Sequence, residues 1–204
     1  MSSSNLGRWG AWAGTLGGLL WALFPLGELP EADAVLTPRG VLVYYGLGYL
    51  LPQLLLLMGL ARLHTLCRRS YGLLGTVGFF VSSAALMLTF VGGAWEMTNI
   101  TSTGTVSTAG YWTSIMGFFV LACGSGLLGL AIIGVLRDPP SYLGGLLLAI
   151  AEPLGFLFVF AVGGAWDFGS RVGLTVPCGV AWALLGYALL SQRGAALDRR
   201  ARTS

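Results

Sequence analysis

A glutamate followed by a proline, Glu152-Pro153, stands inside the long apolar run Leu-Ala-Ile-Ala-Glu-Pro-Leu-Gly. A carboxylate deep in hydrocarbon costs ~2.5–3.5 kcal/mol on insertion scales, so it must be protonated, paired or turned toward a wet cavity. Proline leaves a helix carbonyl unbonded and bends the axis. A polar kink of this kind is a candidate point for binding or proton handling. Pro52-Gln53 repeats the arrangement in another apolar run, with an amide in place of the acid. Ser82, Ser83, Cys123 and Ser125 fall near the same level of neighbouring runs. Mid-helix serines are often satisfied by their own helix.

A second acid pair follows tryptophans. Val91-Gly92-Gly93-Ala94-Trp95-Glu96 recurs as Val162-Gly163-Gly164-Ala165-Trp166-Asp167, and Tyr71 aligns with Tyr142 at the same offset. Thr105-Val106 and Thr175-Val176 follow nearly in register. The acids of such a phrase could take a cation, move protons or mark helix ends, and Trp95 and Trp166 are candidate walls for a bound molecule. Glu152, Glu96 and Asp167 are thus the candidate catalytic acids. Pro52, Gln53, Pro153 and the two tryptophans are the candidate binding residues.

The elements that must position these groups are membrane helices. The 204 residues are 55% hydrophobic and only 9% charged, against about 25% charged in soluble domains. Six apolar runs approach the ~20 residues a bilayer core demands: Trp9–Leu26, Val41–Leu63, Tyr71–Trp95, Tyr111–Leu136, Ser141–Trp166 and Val172–Leu190. Strands are excluded because the runs are continuous and unpaired backbone cannot stand in lipid. Arg8, an apolar run and Ala32-Asp33-Ala34 imitate a signal peptide. The run is longer than a usual signal core and reads as the first span.

The expected fold is therefore all-α: a polytopic bundle of six transmembrane helices over residues 1–192, with a short basic tail at 193–204. The last four spans read as two copies of one hairpin, and the first two as a diverged third. Each copy holds an even number of spans, so the copies are parallel repeats rather than inverted ones.

Arg62, His64, Arg68, Arg69 and Arg137, with the tail arginines, crowd one side. Glu28, Glu31, Asp33, Glu96 and Asp167 lie on the other, with Arg39 and Arg171 as its basic residues. Basic loops mark the cytoplasm, which puts both termini inside, in the plasma membrane of a prokaryote. Trp95, Tyr111, Trp112 and Trp166 at outer ends, with Tyr71 and Tyr142 at inner ends, suit interfacial belts. The thirty-two glycines suit close helix packing in lipid, with Gly14/Gly18 and Gly126/Gly134 as candidate small faces.

Several chemistries are not called for. Cys67, Cys123 and Cys178 are isolated and His64 is the single histidine, so no metal cluster or redox pair is expected. No P-loop, GxSxG or HExxH occurs, and no cofactor or nucleic acid is implied. Membrane lipids are the expected partners, with an apolar small molecule, a second copy or a larger membrane complex compatible with the packing faces.

Three small hairpins in a row are similar to bacterial six-span families, a likeness of architecture that carries no activity. The Trp95-Glu96 step at a helix end resembles small membrane-bound terpenoid cyclases, which set membrane-face acids against aromatic walls. That likeness covers only these residues, and the span count differs. Two function classes follow, beside a third reading as an ion or proton pathway through Glu152 and the outer acids. One is a non-enzymatic membrane module that binds a small molecule or lipid, forms a permeation path or joins a complex. The other is an intramembrane enzyme in which a neutral carboxylic acid protonates an isoprenoid-like alkene or epoxide, and tryptophans stabilise the cation.

Overall fold

A computed structural model describes residues 3–25, 37–161 and 168–203. Among these residues every regular element is helical. α1 is Ser3–Leu23. α2 runs unbroken over 38–67, through Pro38–Val41, Leu42–Leu50 and Leu51–Cys67. α3 is Gly72–Thr103, α4 Thr108–Val135, α5 Pro139–Ala161 and α6 Phe168–Thr203. Four stretches are long and apolar enough to cross a membrane: Arg39–Cys67, Gly72–Thr103, Thr108–Val135 and Val172–Ser191. Large apolar side chains point outward along them, including Leu47, Phe80, Met87, Phe119 and Leu130. Water-solvated monomers rarely leave so much contiguous apolar surface uncovered.

The six helices close into a ring. Each packs on the next in the chain, and α6 returns to pack along α1. The α3–α4 pair is the most extensive seam, and α2 meets α3 most sparsely. Glycine lets the backbones approach. On α1, Gly14 faces Gly59 of α2 and Gly186 of α6, and Gly18 faces Gly179 and Ala183. The small face expected at Gly14/Gly18 is therefore buried between two neighbours. On α4 the pattern differs from the expected Gly126/Gly134, since Gly134 faces open space. The glycines of α4 that pack on α3 are Gly110, Gly117 and Gly124, seven residues apart.

They face Glu96, Thr89 and Ser82 of α3, also seven apart, in a single antiparallel register. Gly92 completes the seam by facing Ser114. A seven-residue period keeps one seam in contact along two helices that wind gently around each other.

α3 outlasts its apolar run. The spacing of hydrophobic residues ends a span at Trp95, yet the helix continues to Thr103. Its polar end is held by its own side chains: Thr98, Thr101, Ser102 and Thr103 donate to the carbonyls of Ala94, Met97, Thr98 and Asn99. The helix stops at Gly104, whose φ of 72° suits the left-handed cap that glycine adopts without penalty. Asn99 Nδ2 then donates to the Thr105 carbonyl (2.7 Å), and the Ser107 hydroxyl caps α4 by accepting from Gly110 N. Gly104→Ala is expected to cost about 1–2 kcal/mol, the penalty of a Cβ in left-handed backbone. Denaturant titration in detergent checks it, and unchanged stability contradicts this account of the turn.

α2 departs from regular α geometry. Over Leu42–Leu50 its hydrogen bonds widen to the i→i−5 pattern, and Leu51 N donates to the Gly46 carbonyl. Pro52 lies one residue further on. It offers no N–H and crowds the carbonyl four residues back, so the preceding turn relaxes into the wider register. Such π-helical stretches recur at functional sites.

At the arginine-bearing end, His64 is not a loop residue. It sits in the last turns of α2, stacked on Phe79 with ring centroids 3.9 Å apart and hydrogen-bonded to the Tyr71 hydroxyl. In the turn between α2 and α3, burial and then the neighbouring Cys67 push the Tyr71 phenol up to about 12. Tyr71 thus remains a neutral partner for His64.

Candidate functional site

The widened turn of α2 decides where three tyrosines go. When hydrogen bonds run i→i−5, residues five apart fall on one face, so Tyr44 and Tyr49 share the interior with Tyr45 beside them. Phe24, just after α1, packs on both, at centroid distances of 5.0 Å to Tyr44 and 5.4 Å to Tyr49. Below them Trp21 is fully buried and meets Tyr49 at 5.8 Å and Phe118 of α4 at 5.9 Å. The rings lean at 33–60° where they meet Tyr49 across helices. Tilted pairs of this kind are favoured over face-to-face sandwiches.

Within this aromatic shell is a cavity of about 230 Å³. α2 supplies Tyr44, Tyr45 and Tyr49; α3 supplies Glu96; α4 supplies Tyr111, Ser114, Ile115 and Phe118. Phe24, Val106 and Thr175 of α6 complete the wall. It lies at the end of the bundle opposite the Arg62, Arg68 and Arg69 cluster.

The phrase Gly92-Gly93-Ala94-Trp95-Glu96 now acquires a function for both glycines and for the acid. Gly92 lets α4 approach at Ser114. Gly93 receives the Tyr49 ring, which occupies the space a Cβ would need. Glu96, one turn on, lies against Gly110 and lines the cavity with 7% of its surface exposed. Read from the sequence, Glu96 follows the end of a span at the interface; in the fold it is inside the helix and buried.

A polar seam continues inward from the cavity. The Tyr49 hydroxyl is set among Ser114, Gln53 and Glu96. Gln53, fully buried one turn below, accepts from Thr89 Oγ1 at 3.0 Å. The Ser82 Oγ atom is buried without a hydrogen-bond partner. Polar groups left so in an apolar interior are costly.

The other expected site residues fall elsewhere. Trp95 is about half exposed and points away from the cavity, as an interfacial anchor does. Pro52 is buried on α2, against Gly17 of α1. Pro153 lies on α5 against Gly126 of α4. Ser83 donates to the Phe79 carbonyl of its own helix (2.7 Å), Ser125 to that of Ala122 (3.2 Å), and Cys123 faces outward. Trp166 and Asp167 lie outside the described residues, with the whole second copy of the repeated phrase. Glu152 belongs to α5, and its side chain is also outside them. Comparison with protein-family models, curated proteins and solved structures gives no match. The site must speak for itself.

The residues that sequence reasoning passes over are the tyrosines of α2, with Phe24, Ser114, Phe118 and Thr175. Tyr111 reads as an interfacial anchor, yet it is half-buried on the cavity wall. The pair Tyr44-Tyr45 with Tyr49, just upstream of Pro52, is the available signal. It becomes informative only once the proline is known to shift the helix register. Among the described residues no group of three metal-binding side chains assembles.

Proposed function

We propose that this chain is a six-span integral membrane protein that holds a small, largely apolar molecule in the aromatic cavity beside Glu96. What supports six spans is the closed ring: α1 is wedged between α2 and α6, and α5 between α4 and α6, and α2, α4 and α6 are each long and apolar enough to cross a membrane. The basic end, with Arg62, Arg68, Arg69 and Arg137, faces the cytoplasm by the positive-inside rule. The cavity then opens toward the outer leaflet, the body covers residues 1–192 and the tail from 193 stays inside. A prokaryotic plasma membrane suits this arrangement. On this reading the last two hairpins descend from one parallel-repeated unit, and lipids surround the outward apolar side chains.

The observation that carries the binding role is a cavity inside the bundle, walled among the described residues by six rings and the Glu96 carboxylate. Its volume lies below the about 300–1,000 Å³ of drug-sized pockets, so the occupant is small. Ile115→Trp fills this space from a half-buried wall position. Wild-type protein purified in native lipid is expected to retain a small molecule, detected by mass spectrometry after denaturation, that the folded Ile115→Trp protein lacks. Equal content in both removes the cavity from consideration as a binding site.

A second reading is favoured by the same contact of acid and rings: acid-catalysed cyclisation or isomerisation of a short isoprenoid-like substrate. Protonated Glu96, with Asp167 and Glu152 as further candidate acids, would donate to an alkene, and the rings would stabilise the cation. Such an enzyme loses turnover in Glu96→Gln, Asp167→Asn or Glu152→Gln while the protein stays folded. Full turnover in all three excludes it.

A further inference from the structure

The geometry points to a docking site for one anionic phospholipid at the corner where α2 turns into α3, with Arg68 and Arg69 on its phosphate and the outer face of α3 along an acyl chain. Arg68 caps the C-terminal end of α2 and Arg69 follows in the turn. Both are exposed, and neither has an ion-pair partner among the described residues. Arg68 stands within electrostatic reach of His64, whose ring lies against Phe79 and Phe80 of α3. The charged corner therefore adjoins the first turns of the next helix. There Leu73, Val77, Phe80, Ala84 and Met87 are all exposed, at alternating steps of four and three residues that keep them on one side of α3. Leu73, the first of them, is 80% exposed. An apolar stripe thus starts at the arginines and runs into the membrane, as an acyl chain does below its headgroup.

The two features together select the occupant. Free phosphate answers the arginines, whose guanidinium forks match its oxygens two at a time, but leaves the stripe uncovered. A zwitterionic phospholipid covers the stripe, yet brings its own cation to the arginines. An acidic protein in the cytoplasm does not reach Phe80 and Met87, which lie within the apolar stretch Gly72–Thr103. An anionic phospholipid meets both demands. The corner lies at the opposite end of the bundle from the aromatic cavity, so this inference does not depend on what the cavity holds.

The test is native mass spectrometry of the full chain released from micelles that hold equal amounts of phosphatidylglycerol and phosphatidylcholine with the same acyl chains. Wild-type protein is expected to retain phosphatidylglycerol at least about tenfold over phosphatidylcholine, in keeping with the attraction of arginines to anionic lipid. Arg68→Gln combined with Arg69→Gln lowers that preference at least about tenfold. Arg8 and Arg137 are exposed too, and Gly10 of α1 packs on Arg62, which puts Arg8 at the same end. Arg8→Gln combined with Arg137→Gln therefore removes an equal charge from that end, away from the corner, and is expected to leave the preference unchanged. All four side chains are exposed, so none of the substitutions disturbs the packing. Glycerol 3-phosphate, which has the phosphate without the chains, is expected not to be retained. Equal retention of the two lipids, or a preference indifferent to the loss of Arg68 and Arg69, overturns the site. An equal loss in the Arg8 and Arg137 variant also overturns it, in favour of charge spread over the whole end. Retention of glycerol 3-phosphate as firm as that of phosphatidylglycerol overturns the seat on α3.

Discussion

Gly117→Leu is expected to pull α3 and α4 apart and leave little folded protein. A Cβ built at Gly117 lies 2.4 Å from Thr89 Cγ2 and 2.7 Å from its backbone nitrogen. A flexible side chain can turn aside, but a backbone nitrogen moves only with its helix. Overpacking typically costs about 1–3 kcal/mol, and a contact with helix backbone belongs at or above the top of that range. The same substitution at Gly134, which has nothing within 4 Å, is the control, since it adds the same side chain at no steric cost. Thermal unfolding in detergent measures both. Equal stability of the two variants means that α3 and α4 do not pack in the register described.

Gly93→Val is expected to spare the fold and close the site. Here the atoms in the way are Tyr49 Cε1 and Cδ1, 2.3 and 2.5 Å from the new Cβ. A ring can rotate about its side-chain bonds, and the open space beside Tyr49 is the cavity itself. The ring should swing into it, at a stability cost of ~1–3 kcal/mol, and reduce retention of the bound molecule at least about tenfold, the effect of losing a contact worth about 1.4 kcal/mol. Tyr49→Ala in the same chain reopens the space, so the double variant should retain more than Gly93→Val alone. Such non-additivity is the signature of residues in contact. The neighbouring Gly92→Val meets the backbone nitrogen of Ser114 at 2.5 Å and should resemble Gly117→Leu instead. Two adjacent glycines thereby separate site from scaffold. Binding unaffected by Gly93→Val contradicts the seat assigned to Tyr49.

How far the fold is legible from residues alone depends on which force shapes each part. Continuous apolar runs announce spanning helices because lipid allows few other structures, and α2, α3, α4 and α6 appear near the expected places. Hydropathy misses what hydrogen bonding decides. α3 carries on past Trp95 because threonine and serine side chains satisfy its polar end, and that extension turns Glu96 from an interfacial residue into a buried one. Glycine content foretells close packing but not the partners, since which glycines meet depends on helix rotation: Gly124 is buried against Ser82, and Gly134 faces outward. The doubled Gly-Gly-Ala-Trp-acid phrase is visible at once, whereas its division of labour requires the position of Tyr49. That position follows from a proline three residues away, acting through the backbone of a different helix from the phrase.

Cys123 supplies a direct probe of the whole account. It is exposed near the middle of α4, while Cys67 and Cys178 are buried. A nitroxide attached to Cys123 in vesicles, with the two buried cysteines replaced by alanine, reports what solvates that face. Relaxation dominated by dissolved oxygen, with little effect from a water-soluble nickel chelate, is the result expected of a side chain among acyl chains. Relaxation dominated by the nickel chelate would put water against the belt and contradict the membrane-embedded ring on which the cavity, its small occupant and the buried Glu96 all depend.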